Sequence, residues 1–289
     1  MLFLFLAGVC MGSFAGAVVW RVHKQQELRS KSLDFRKKKS KKLQDPRSKI
    51  QDLSILRGRS MCEHCSHTLA TKDLIPLVSY LSLRGKCCYC KKPIARSVLA
   101  VELAGGLVFV LSYLLWPTSL TSAEQLIPFV TWLLASVGLL ALALYDYKWY
   151  ILPNRILYPT FYVALAGWLT STVLFNFELE SILNLLGSIA IASGIFWLIY
   201  VLSKGRLIGF GDVRLGLVTG TLLADPRLSL LMIFVASLLG TLFAAPQLVT
   251  GKKNATSRIP YGPFLILGTA ISLFFGESII NWYVSLLIF

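Results

Sequence analysis

Two aspartates stand where apolar segments meet polar sequence, and they are the residues best suited to acid–base chemistry. Asp146 ends one apolar run, and Asp212 begins another within Gly209-Phe-Gly-Asp212. Two carboxyl groups held at one depth resist joint ionisation, so they would share one proton. One group can then act as a base toward water while the other acts as an acid. The pattern predicts an aspartate dyad; the alternative is a pair of ordinary interfacial aspartates, with Asp146 bonded to Lys148 or Arg214.

Four residues near the dyad, or at a similar depth, are candidates for supporting roles. Gly209 and Gly211 lack side chains, which would let a substrate backbone approach Asp212 or let the helix open there. Arg214 follows Asp212 by two residues, and Glu102 lies inside another apolar run. For Glu102 the sequence leaves two interpretations open, a buried structural contact to a Ser, Tyr or Arg, or support of the active site.

Four cysteines have the spacing of a metal site. Cys62-Glu-His-Cys65 and Cys87-Cys-Tyr-Cys90 form two C-x2-C pairs separated by 21 residues. Four thiolates in this arrangement suit tetrahedral zinc, and a site with no open position is structural. The alternatives are cysteines without a metal, a shift of register from Cys87 to Cys88, and substitution of a ligand by His64 or His67.

The composition places the chain in a membrane. Of its 289 residues, 55% are hydrophobic and only 15% are charged, and the mean hydropathy is +0.66. Soluble domains are about 45–50% apolar and about 25% charged. These values argue against a water-soluble enzyme, a disordered chain and a disulfide-rich secreted module.

Apolar runs of about 20 residues predict an all-α polytopic membrane protein with about eight transmembrane helices. The first run has its cations after it rather than before it, which indicates an uncleaved anchor and not a signal peptide. The sixth run is too short to cross alone, and Glu277 interrupts the eighth. The eight runs are approximately 1–20, 97–116, 126–145, 156–175, 182–202, 213–224, 228–249 and 263–289.

Charge predicts the orientation of these helices. Residues 21–96 hold 20 of the 29 Lys and Arg, and with the N-terminus outside almost every later cation also falls in an inner loop, Arg227 being the exception. The four-cysteine segment and both aspartates are then cytoplasmic. The predicted domains are an anchor at 1–21, a basic linker at 22–59, a zinc domain at 60–96 and a membrane domain at 97–289. The linker is expected to meet anionic lipid and not nucleic acid, because no aromatic-basic recognition motif accompanies its charge.

Taken in order along the chain, these features resemble the bacterial prepilin peptidases, or type IV leader peptidases. Asp146 with Pro153 looks like the first catalytic motif of that family, and Gly209-Phe-Gly-Asp212 looks like the second. Further matching segments are Gly12-Ser-Phe14 with Arg21, Cys62…Leu69, Asp73-Leu-Ile-Pro76, Ser79-Tyr-Leu81, Arg84-Gly-Lys-Cys87, Cys90-Lys-Lys-Pro-Ile94, Glu102-Leu103 and Ile259-Pro-Tyr-Gly-Pro-Phe264.

The resemblance implies a GxGD-type membrane aspartic peptidase of the bacterial inner membrane. Such enzymes remove the basic leader of type IV prepilins and pseudopilins at the cytoplasmic face, after a glycine. Many then N-methylate the new terminus with S-adenosylmethionine. This chain departs from the pattern at three points, since it has Gly16 where the family usually has Asn, Arg214 where Lys is frequent, and a longer basic insertion before Cys62.

Other functions stay open on sequence alone. The chain could be a methyltransferase without peptidase activity, or a non-enzymatic pilus-assembly factor that binds a partner through its cysteine domain. Cleavage of other membrane helices, as in presenilin-like GxGD enzymes, is a further alternative, although a zinc domain argues against it.

Overall fold

The computed structural model describes residues 1–37, 60–62, 64–65, 67–175, 178–249 and 259–287. Most of these residues are helical, and no β-strand occurs among them. The chain divides into two compact units, Met1–Val110 and Leu111–Phe289. Most of the basic run predicted as a linker, at 38–59, lies outside the described residues.

The first unit is built from two long helices and a small cysteine-containing domain. Helix α1 spans Leu2–Lys37, the short helix α2 spans Val78–Ser82, and the larger part of helix α3, Arg96–Leu114, completes the unit. Glycines let α1 and α3 touch, since a Cβ on Gly8 would lie 2.4 Å from the carbonyl oxygen of Gly105. Small residues allow this close backbone approach between membrane helices.

The part of the second unit that the structure describes holds six further helices. Helix α9 packs on α4, α7 and α8, and α5 packs between α4 and α7. The six are α4 (Ala123–Trp149), α5 (Asn154–Phe175), α6 (Leu179–Leu202), α7 (Phe210–Leu223), α8 (Pro226–Val249) and α9 (Gly262–Leu287).

Helix α7 is short and almost fully enclosed by its neighbours. Its Gly216 and Gly220 face a π-helical turn of α6, Ala190–Gly194, and a Cβ on Gly216 would lie 2.3 Å from the Ala192 carbonyl oxygen. The Ser193 hydroxyl donates to the Val213 carbonyl at 2.8 Å, and the Ser188 hydroxyl donates to the Gly220 carbonyl at 2.6 Å. A π-turn and a pair of serines therefore fix the position of this helix along α6.

Among the described residues, seven helices are long and apolar enough to cross a membrane, and α7 is the additional, short one. With 14 residues it is about 21 Å long, less than the roughly 30 Å hydrocarbon core. It nevertheless returns the chain to the opposite face, because α7 and α8 together bring Gly262 back to Asp146 at the end of α4. This agrees with the prediction of about eight transmembrane helices.

Two helices differ from the sequence-based expectation in their extent. Helix α1 continues to Lys37, through the first part of the segment predicted as a linker at 22–59. Helix α9 is continuous through Glu277, whose carboxylate accepts a hydrogen bond from Arg227 at 3.3 Å. Pairing with Arg227, which also bonds Asp225, lets an acidic residue remain within a spanning helix.

Candidate active site

Asp146 is buried near the end of α4, and its side chain is held by a backbone amide. Only 6% of its surface is exposed. The N–H of Gly262, at the first position of α9, donates to Asp146 Oδ2 at 3.0 Å. A Cβ on Gly262 would lie 2.8 Å from the same oxygen, so glycine is required for this approach. The free amides at a helix N-terminus favour a negatively charged partner. Helix α9 supplies such an amide, that of Gly262, to Asp146.

The backbone after Asp146 ends α4 within one turn. Tyr150 adopts the left-handed conformation at φ 57°, and its N–H donates to the Asp146 carbonyl at 2.8 Å. Pro153 then precedes the first residue of α5, where its missing N–H removes no helical bond. Tyr150 and Pro153 therefore set the turn between α4 and α5.

Asp212 enters the same unit from the first turn of α7. Gly209 caps that helix in an extended conformation, at φ −77° and ψ 146°. The Asp212 side chain is half-buried, and its carboxylate lies near enough to Asp146 for the two charges to interact. Tyr261, next to Gly262, is also within electrostatic range of Asp212. The two aspartates predicted as a dyad thus lie within electrostatic range of each other, on different helices of one unit.

The supporting residues predicted from sequence have separate structural roles. Gly209 has an extended backbone conformation that any residue can adopt. A Cβ on Gly211 would lie 3.2 Å from Leu152, so the turn after α4 packs closely against Gly211. Arg214 donates to Asn154 Oδ1 at 2.5 Å and lies 4.5 Å above the Phe210 ring. Within the described residues no ion pair joins Arg214 or Lys148 to Asp146, so the alternative of a simple interfacial pair receives no support.

Gly262 and Tyr261 are site residues that the sequence reasoning did not single out for a role. The segment Ile259-Pro-Tyr-Gly-Pro-Phe264 counted only as part of a resemblance. A glycine followed by proline at a helix start was the available signal. Which side chain it would meet could not be read from the sequence, because Asp146 is 116 residues away.

The four predicted cysteine ligands form one cluster in the first unit. The sulfur atoms of Cys62, Cys65, Cys87 and Cys90 all lie within 4.8 Å of one another, a spacing that fits four ligands around one metal ion. Cys88 is outside this cluster, and its thiol lies 3.9 Å from Asp73 Oδ1. These positions favour Cys87 over Cys88 as the ligand.

Two matching backbone turns bring the cysteines together. The N–H of Cys62 donates to the His67 carbonyl at 3.0 Å, and the N–H of Cys87 donates to the Lys92 carbonyl at 2.9 Å. Each turn is closed by one antiparallel bridge, Met61 to Thr68 and Lys86 to Pro93. His67 stacks on Tyr89 at 3.8 Å between ring centroids, which gives it a packing role in place of the alternative ligand role.

Two of the clustered thiols, Cys62 and Cys90, have pKa values shifted in opposite directions. Burial tends to raise the pKa of Cys62, but hydrogen bonds from the backbone of Cys65 and His64 and from neighbouring thiols lower it to about 7. A backbone hydrogen bond at Lys92 favours the Cys90 thiolate, yet burial and the neighbouring thiols raise its pKa to about 11. Metal ligation needs thiolates, and the lowered pKa of Cys62 favours the thiolate form of that side chain.

Glu102 joins the cysteine domain to the long helices of the first unit. It is 5% exposed, and it accepts hydrogen bonds from the Ser13 hydroxyl and from the Leu77 N–H, both at 2.8 Å. Leu77 has the unusual backbone angles φ 60° and ψ −50°. This matches the interpretation of Glu102 as a buried structural contact to a serine.

Comparison with known proteins agrees with these features. Residues 6–116 match the profile of the bacterial peptidase A24 N-terminal domain, and residues 133–245 match that of the type IV leader peptidase family. No solved structure matches the chain.

Three curated relatives show how far the similarity extends. A "Prepilin leader peptidase/N-methyltransferase" of Pseudomonas aeruginosa is 28% identical over 278 residues, covering 96% of this chain and 91% of the relative. A "Type 4 prepilin-like proteins leader peptide-processing enzyme" of Escherichia coli is 30% identical, covering 93% and 91%. A "Prepilin leader peptidase/N-methyltransferase" of Bacillus subtilis is 30% identical, covering 81% and 88%. The chain therefore belongs to the type IV leader peptidase family.

Proposed function

We propose that this chain is a membrane aspartic peptidase that removes the leader from type IV prepilins or pseudopilins. The observation that carries the proposal is the convergence of Asp146 and Asp212 from two helices of one unit. Asp146 is buried and fixed by the Gly262 amide. The names of the relatives supply the substrate class.

The geometry suits general acid–base attack by water. The Gly262 amide holds Asp146 Oδ2, so Oδ1 is the oxygen available to a water molecule. One carboxylate takes a proton from that water as it attacks the scissile carbonyl carbon. The other group, as a carboxylic acid, donates a proton to the carbonyl oxygen and stabilises the tetrahedral intermediate. Collapse of the intermediate, with proton transfer to the leaving nitrogen, breaks the peptide bond.

A cleavage assay in membranes tests this function. The chain and a prepilin are co-expressed, and loss of the leader is followed by gel shift and by product mass. The variants Asp146→Asn and Asp212→Asn keep side-chain size but cannot provide the carboxylate, so we expect each to lose cleavage while still inserting. Asp225→Asn is the matched control, because Asp225 bonds Arg227 at the opposite end of the unit. If Asp146→Asn or Asp212→Asn removed the leader at the wild-type rate, the mechanism would be excluded.

A second activity, N-methylation of the product with S-adenosylmethionine, is proposed from the names of the relatives. Of the three departures from the family pattern, Gly16 is the one that bears on methyl transfer. A Cβ on Gly16 would meet no atom within 4 Å, so Asn fits there without displacing a neighbour. The product mass in the same assay reports an added methyl group, and its absence in wild type and in Gly16→Asn would remove this activity.

We further propose that the N-terminus lies outside and that the dyad and the cysteine domain are cytoplasmic. Zinc is the metal proposed for the cysteine site, and anionic lipid is the proposed partner of the basic segment. The excess of cations in the proposed inner loops supports this orientation. A phosphatase fused at residue 1 is expected to be active and one fused after residue 204 inactive; the reverse result would overturn the orientation.

A further inference from the structure

The cysteine domain exposes a compact group of large apolar side chains. Leu74, Ile75, Val78 and Leu81 are 40%, 50%, 59% and 68% exposed. They lie on helix α2 and on the turn before it, within eight residues of one another. A soluble domain seldom presents such a group to water without a partner.

The hydrogen bonds of Glu102 place this group at membrane depth. The Leu77 N–H, between Ile75 and Val78, donates to Glu102 Oε2 at 2.8 Å. Glu102 lies six residues after Arg96 in α3, about 9 Å further along the helix axis. Ser13, which bonds the other carboxylate oxygen, lies eight residues before Arg21 in α1, about 12 Å along that axis. Both helices therefore place Leu77 about 10 Å below their basic residues, near the boundary between headgroups and acyl chains.

The backbone of this segment is suited to such an environment. The amides of Ser79, Leu81 and Leu83 donate to the carbonyls of Ile75, Leu77 and Ser79, and the Leu77 amide donates to Glu102. Non-helical backbone is tolerated at membrane depth only where its polar groups have partners within the protein. The unusual conformation of Leu77 meets this condition through its bond to Glu102.

Basic side chains follow the apolar group in sequence. Arg84, Lys86, Lys91, Lys92 and Arg96 are all exposed, and Asp73 is the one acidic residue among positions 64–96. Apolar side chains beside Lys and Arg are typical of segments that lie in the interface of an anionic bilayer. A protein partner would require an apolar surface of its own at the depth of the acyl boundary.

We propose that residues 74–81 form an interfacial anchor, in which Ile75, Val78 and Leu81 insert into the acyl boundary of a leaflet rich in anionic phospholipid. The cysteine domain is then held in the membrane surface and does not project as a soluble lobe. The inference depends on the spanning helices α1 and α3, and it stands or falls separately from the peptidase activity.

Site-specific photolabelling of the full chain tests the anchor. Leu81→benzoylphenylalanine and Ile75→benzoylphenylalanine are prepared in vesicles of phosphatidylethanolamine and phosphatidylglycerol. After illumination, the mass of the intact protein is measured. We expect a mass increase of one phospholipid at both positions, comparable in yield to Leu107→benzoylphenylalanine, where the side chain is exposed on spanning helix α3. Thr68→benzoylphenylalanine, at an exposed position in the other cysteine turn and outside the apolar and basic groups, is expected to lack the adduct.

Three results would overturn the proposal. The first is the absence of a lipid adduct at positions 75 and 81 while position 107 forms one. The second is a cross-linked dimer in place of the lipid adduct, which would assign the surface to a second copy of the chain. The third is a prepilin adduct that replaces the lipid adduct when prepilin is reconstituted with the protein, which would assign the surface to the substrate.

Discussion

At the scale of single residues, Asp146 shows how this site depends on one backbone contact. Its carboxylate is buried and lies against the amide of Gly262, with no space for a side chain at that position. Asp212 is placed differently, by its position in the first turn of α7. One aspartate is thus oriented by a neighbouring helix and the other by its own helix.

Gly262→Ala is therefore expected to impair cleavage without removing either aspartate. The added Cβ would lie 2.8 Å from Asp146 Oδ2, so the carboxylate must move. Displacement of a reacting group by about 1 Å costs roughly a hundredfold in rate. The initial rate of leader removal checks this, with Gly194→Ala as control because its Cβ would meet no atom within 4 Å. Equal rates for Gly262→Ala and wild type would contradict the positioning role.

At the scale of secondary-structure elements, the short helix α7 depends on tight contacts with α6. Gly216 and Gly220 face the π-turn, and Ser188 and Ser193 bond carbonyls of α7. This pairing fixes the depth at which α7 begins, and hence the depth of Asp212.

Gly216→Ala should destabilise this packing. Its Cβ would lie 2.3 Å from a backbone carbonyl oxygen that has little freedom to move. Overpacking of this kind costs about 1–3 kcal/mol of the free energy of unfolding. The thermal midpoint in detergent should fall for Gly216→Ala and not for Gly240→Ala, whose Cβ would meet Phe264 at an ordinary 3.7 Å. Unchanged thermal midpoints for both variants would show that the contact between α6 and α7 accommodates the added Cβ.

In the first unit, Glu102 fixes the segment before α2 by accepting the Leu77 hydrogen bond. Glu102→Ala leaves the Leu77 amide without its acceptor, at a cost of about 1–3 kcal/mol. Glu102→Gln keeps an acceptor oxygen and should retain the position of residues 74–85. Limited proteolysis of this segment distinguishes them, with faster cutting expected for the alanine variant alone. Equal protection of both variants, combined with loss of leader removal in both, would instead assign Glu102 to support of the active site.

At the scale of the whole molecule, the chain has a four-cysteine cluster that fits a metal ion in one compact unit and two aspartates within electrostatic range of each other in the other unit. The cysteine domain has a small core of its own, and within the described residues Cys87 is its one buried apolar side chain. Metal coordination at the four cysteines would stabilise such a small domain.

Bound metal is expected at one ion per chain. Cys65→Ser removes one of the four clustered thiols and should lose the metal, whereas Cys88→Ser changes a thiol outside the cluster and should retain it. Metal content of the purified protein, measured by elemental mass spectrometry, checks both variants. Loss of metal from Cys88→Ser, with retention in Cys87→Ser prepared beside it, would shift the ligand register by one residue.

Much of this molecule follows from the sequence alone, because the relevant signals are local. Apolar runs of about 20 residues predict the spanning helices, and C-x2-C spacing predicts the cysteine cluster, since a two-residue gap brings both thiols of a pair to one point. Asp146 and Asp212 could be selected because acidic residues beside apolar runs are rare and costly. Only the tertiary structure brought Gly262 to Asp146, across 116 residues, and Leu77 to Glu102. These contacts depend on how helices cross and at what depth they begin, which is decided by packing between glycines, serines and a π-turn from distant parts of the chain and not by local periodicity.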